Sequence, residues 1–148
     1  MKKYPQVTVR LSREQAQALE ARAAAWGGSI HAAAGEILER YLYLVASELR
    51  DLAGQFSLAE VSLLADVVNG WHIEPHTVGL LWAEVADALE EGYAEKWQVD
   101  GPVLVARLRN LTYGQTLALT DALQRWWAQG ERAATVEGFR AVGLELRP

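Results

Sequence analysis

Residues 5–15 read PQVTVRLSREQ, and the fold turns on how the first half of that stretch is taken. From Gln6 to Leu11 polar and apolar side chains alternate, and Val7, Thr8 and Val9 are β-branched, which is the pattern of a strand. A period of two puts Val7, Val9 and Leu11 on one face and Gln6, Thr8 and Arg10 on the other. A lone strand leaves its backbone donors and acceptors unpaired. No second convincing strand follows nearby, so the nearest partner is the same stretch in another copy of the chain. The expectation is an obligate homodimer, with a tetramer also open.

Working outward, Ser12 stands where a helix N-cap is wanted, with Glu14 and Gln15 in the first turn. Ala16, Leu19, Ala23 and Trp26 recur at helical spacing until Gly27-Gly28 ends the run. A second helix begins near Ser29–His31, with a stripe of Ile30, Ala34, Ile37, Tyr41, Val45 and Leu49. Between Ile37 and Val45 the sequence ILERYLYLV is apolar almost all round, as in a helix buried on several sides. Gly54 interrupts. Ser57-Leu-Ala-Glu60 and Thr112-Tyr-Gly-Gln115 both read as capping boxes, and Asp100-Gly-Pro102 as a capped start with proline in the first turn. Between them, Thr77 to about Trp97 reads as one amphipathic helix. Phe139–Leu146 reads either as a short strand or as a segment packed across the helices. The expected fold is mainly α. Residues 1–52 form a dimeric domain of one strand and two helices, and residues 53–148 form an acidic helical bundle.

Charge divides the same way. Residues 1–50 hold seven basic and five acidic side chains, net +2, and no acid precedes Glu14. Residues 51–148 hold seven and fourteen, net −7. A basic start in a chain of net charge −5 suits an anionic partner at that end alone. There is no cysteine, which excludes disulfides and thiolate metal sites and points to a reducing, cytoplasmic setting. The N-terminal stretch lacks the apolar run of a secretory signal, and no stretch is long and apolar enough for a membrane span.

The stretch PQVTVRLSREQ followed by WGGSIHAAAGEILERYL resembles the ribbon-helix-helix family of DNA-binding proteins, the Arc/MetJ/CopG group, over about the first 45 residues. The resemblance rests on the alternating strand, the polar cap at Ser12, the first helix, the Gly27-Gly28-Ser29 turn and an amphipathic second helix ending in Tyr-Leu. It implies that two strands pair antiparallel, one per subunit, and enter the major groove of double-stranded DNA over a four-helix shared core. On that reading Gln6, Thr8 and Arg10 meet base edges. Arginine suits guanine, glutamine adenine, and threonine a hydrogen bond or a thymine methyl. The start of the second helix, at Ser29, Ile30 and His31, would hold phosphate through backbone N–H groups, with Gly28 allowing close approach. Lys2 and Lys3 would add sequence-independent phosphate attraction. Gln15 and Arg22 stand where the family usually has apolar residues, His31 where a hydroxyl or amide cap is usual, and Gly35 lies inside the second helix.

The remaining signals are weaker. His72, Glu74 and His76 alternate in WHIEPH, but the downstream cysteine pair that such a pattern needs for zinc deaminase chemistry is missing, and no metal or cofactor is expected. Six tryptophans read first as core packing of a small helical domain and second as a partner-binding patch. Glu84, Asp87, Glu90, Glu91 and Glu95 make an acidic helix face that DNA would not approach. No nucleophile–base–acid set and no phosphate-binding glycine loop is present, so no enzyme is expected. The function expected is a sequence-specific transcriptional regulator, a repressor. Two alternatives stand beside it: an antitoxin whose C-terminal domain binds a toxin protein, and an assembly module that does not touch DNA.

Overall fold

Ser12 starts the first helix as its pattern predicts, and the capping is reciprocal. In the computed structural model, which describes residues 6–69, 78–129 and 134–148, Ser12 Oγ accepts from the Gln15 N–H at 3.1 Å and Gln15 Oε1 accepts from the Ser12 N–H at 3.0 Å. Helix α1 (Arg13–Trp26) closes on Gly27 at φ +69°, a conformation that suits glycine at a helix end. Ser29 Oγ accepts from the Ala32 N–H at 3.1 Å and opens α2 (Ile30–Asp51), 22 residues long. Mainly α is the observed class: eight helices and no strand are found among the described residues.

The expected strand at Gln6–Leu11 is not formed. No backbone hydrogen bond among the described residues reaches that segment. The physical reason is that a strand exists only by pairing, and the single chain offers this one nothing to pair with.

Two units are distinguished, Met1–Leu42 and Tyr43–Pro148. The division lies inside α2, earlier than the boundary at 52/53 that the sequence suggests. Among the described residues of the first unit only Ala23 and Ala33 are buried, while Ala16, Leu19, Ala34, Ile37 and Tyr41 are half-buried. Two alanines are not a core.

The second unit has a core, centred on α3 (Leu58–Val67). Ser57 and Glu60 form the expected capping box, at 3.2 Å and 2.9 Å. From Glu60 to Ala65 every residue is buried, so the helix is enclosed on all sides. It packs against α4 (Leu81–Glu90), α5 (Tyr93–Trp97) and α7 (Tyr113–Ala128), while α6 (Gly101–Arg109) packs on α4 and α8 (Val136–Arg140) on α7. Buried hydroxyls on these helices are satisfied by their own preceding turn: Ser62 donates to the Leu58 carbonyl at 2.7 Å, and Thr120 to that of Thr116 at 2.9 Å. Trp126 stacks on Phe139 with centroids 4.8 Å apart. Trp127, one position on, points elsewhere and donates its indole N–H to the Ala65 carbonyl at 2.7 Å, near the open end of α3.

One expectation for this unit needs correction, and another is decided between its alternatives. The single helix to Trp97 is two helices, parted at Gly92, whose φ of +97° ends one and re-aims the chain for the next; its expected opening residue Thr77 lies outside the described residues. Of the two readings of Phe139–Leu146, the strand is not formed and the segment packs on the helices, with Phe139 against Trp126. Thr135 caps the short α8, and the chain then runs back along the α2–α3 connection, where the Gly54 N–H donates to Glu145 O at 2.9 Å and the Arg147 N–H to Phe56 O at 2.7 Å.

Candidate nucleic-acid interface

The segment that the sequence singles out is unsatisfied on both faces. Val7, Val9 and Leu11 are 81%, 64% and 44% exposed, although their alternation is that of a strand with one face buried. Gln6, Thr8 and Arg10 are exposed as well. An aliphatic row open to water is costly, at roughly 25 cal/mol per Å² of apolar surface left uncovered. The same chain leaves Ile30, Leu38, Leu42 and Trp26 exposed in its first unit.

Gly28, Ser29, Ile30 and His31 are exposed at the start of α2. The capping bond from the Ala32 N–H to Ser29 takes one first-turn donor, and the Ala33 N–H closes on Ser29 O at 3.0 Å. The N–H groups of Ile30 and His31 have no acceptor among the described residues, as at the first turn of any helix, and point with the positive end of the helix dipole. No hydrogen bond or ion pair among the described residues joins this turn to Gln6, Thr8 or Arg10. Lys2 and Lys3 lie outside the described residues.

Two features here were not read from the sequence. Trp26 carries two guanidinium groups, that of Arg40 at 4.9 Å from the ring centroid and that of Arg22 at 6.0 Å, so it ties α1 to α2 by cation–π contact. Arg40 also pairs with Glu36 at 3.1 Å. Gln15, a departure from an apolar pattern, is explained by its capping role. The i, i+4 spacing of Arg22 to Trp26 is a signal the sequence does carry; the Arg40 contact across the turn is not.

The other candidates form no site among the described residues. Trp71, His72, Glu74 and His76 lie outside the described residues. Among the described residues no group of three His, Cys, Asp or Glu side chains is placed to hold a metal ion. Glu84, Asp87, Glu90, Glu91 and Glu95 are exposed. No helix among the described residues is long and apolar enough to cross a membrane. No protein-family model, curated protein or solved structure matches the chain.

Proposed function

We propose that the chain is a dimeric, sequence-specific DNA-binding regulator, a repressor, whose reading surface is a ribbon of two Gln6–Leu11 segments. One observation carries this: a segment with an aliphatic row and a polar row is open to water on both faces, in a unit whose described residues bury only two alanines. A second copy would cover Val7, Val9 and Leu11 and supply the missing ladder. The polar row of Gln6, Thr8 and Arg10 would then face outward in a two-stranded ribbon, a shape the major groove admits. The free N–H groups of Ile30 and His31, with Ser29 and the close approach allowed at Gly28, suit phosphate. Lys2 and Lys3 add charge at the same end. The net −7 of residues 51–148 keeps the rest of the chain off the duplex.

The test is titration of the protein against its gene's own upstream region and against random duplex at two salt concentrations. Tighter binding to the former, with a difference that persists at the higher salt, is the expected result. Equal binding to both overturns the regulator and leaves a dimer that serves assembly only.

A further inference from the structure

Among the described residues, five cations of the acidic unit are ion-paired. Lys96 pairs with Asp66, Arg107 and Arg147 with Glu60, Arg125 with Asp121 and Arg140 with Glu145. Arg109 differs: it has no ion pair among the described residues, and its guanidinium lies 4.6 Å from the centroid of the Trp82 ring. It also lines a cavity of about 210 Å³ where α4, α6 and the start of α7 meet. Leu81, Leu108 and Thr116 line the same cavity and are buried, whereas Tyr113 is half exposed. Among the lining residues Arg109 alone is charged. A guanidinium stacked on an indole keeps its in-plane N–H donors available, and that fork matches a carboxylate bidentately.

We infer that this cavity binds a small planar aromatic carboxylate, with the carboxylate on Arg109 and the ring against Trp82, Leu81 and Leu108. Size and charge both select for this class. A cavity of about 150 Å³ takes a benzene ring, so a space of about 210 Å³ suits a ring and one carboxylate. In a region of net −7 a bare anion is repelled unless apolar contact adds to the ion pair, which favours an aromatic acid over acetate. The inference does not rest on DNA binding.

The full-length protein is titrated with benzoate, benzamide and acetate, followed by saturation-transfer NMR of each small molecule. Benzoate is expected to bind saturably, with benzamide and acetate at least about ten-fold weaker. Arg109→Gln should weaken benzoate by about ten- to a hundred-fold, since it removes a charge-assisted pair. Arg109→Lys, which keeps the charge and loses the fork, should fall between, and Arg50→Gln, an exposed cation outside the cavity, should change nothing. Benzoate that fails to saturate, or that binds Arg109→Gln as well as wild type, overturns the inference. So does benzamide binding as tightly as benzoate. Because no DNA enters the measurement, failure here leaves the reading of the ribbon standing.

Discussion

Glu60 accepts from three directions: the Ser57 N–H at 2.9 Å, the Arg107 guanidinium at 2.9 Å and the Arg147 guanidinium at 3.5 Å. Its side chain is only 9% exposed, so its loss would strand two guanidinium groups beside the core as well as open the cap of α3. We predict that Glu60→Ala destabilises the fold by about 2–4 kcal/mol, below the range for a fully buried pair because Arg107 and Arg147 stay 22% and 46% exposed. Glu60→Gln, which keeps an acceptor for the Ser57 N–H, should cost less; denaturant midpoints of the two variants decide the order, and equal midpoints would assign the effect to the lost ion pairs alone. Only the local part of this was legible beforehand. Ser57 and Glu60 are three apart and read as a capping box, whereas Arg107 and Arg147 arrive from 47 and 87 residues away, a distance no local pattern encodes. Arg10 is the counterpart on the proposed reading surface, exposed and on the polar row. Arg10→Ala is expected to weaken binding to the upstream region by about 1–3 kcal/mol per contact and to relax preference at one base of each half-site. Lys2→Ala should instead weaken all sequences alike and flatten the salt dependence. Identical losses for the two variants would show that Arg10 touches phosphate and reads nothing.

Helix starts were the most legible elements because the residues that make them lie within one turn. Ser12, Ser57, Asp100 and Thr112 all cap where their spacing places them. Interruptions were harder. Gly92 sits in an amphipathic run that continues on either side, and only its positive φ shows that the chain breaks there. The strand was legible as a pattern yet is absent as an element, since alternation shows which faces differ and pairing needs a second backbone. That gap can be closed by one substitution. Val9 lies at the centre of the proposed ribbon, so Val9→Pro would remove a ladder N–H from both strands of a two-fold pair. Sedimentation should show wild type as a dimer, or a multiple of one, and Val9→Pro shifted to monomer. A wild-type protein that is folded and monomeric, or a Val9→Pro variant that stays dimeric, would remove the ribbon from the account.

Across the whole chain, burial is divided as unevenly as charge. Among the described residues the first unit, with the basic start, buries two alanines, and the acidic second unit buries nearly all of the core, including Val45 and Leu49 from the last turns of α2. Composition made the charge division plain. It could not place the boundary, because ILERYLYLV is apolar all round and its pattern does not say which neighbour each face meets. Glu48 shows the allegiance of this end of α2: its carboxylate lies against Gly114 at the start of α7, 2.9 Å from where a Cβ there would stand. Leu49 likewise lies against Gly143, at 3.1 Å from the position of a Cβ there. These contacts predict how fragments behave. Residues 43–148 should fold alone, melting cooperatively with ordered near-ultraviolet signals. Residues 52–148 lack Val45 and Leu49, 7% and 6% exposed in the intact chain, and should lose roughly 3–6 kcal/mol at about 1.5–3 per buried aliphatic side chain. Set against a typical domain stability of about 5–15 kcal/mol, that loss is enough to leave the shorter fragment molten and dye-binding or melting far lower. Comparing the two melts places the boundary. If residues 52–148 are as stable as residues 43–148, the end of α2 belongs to the first unit, and the acidic domain begins where its first capping box does.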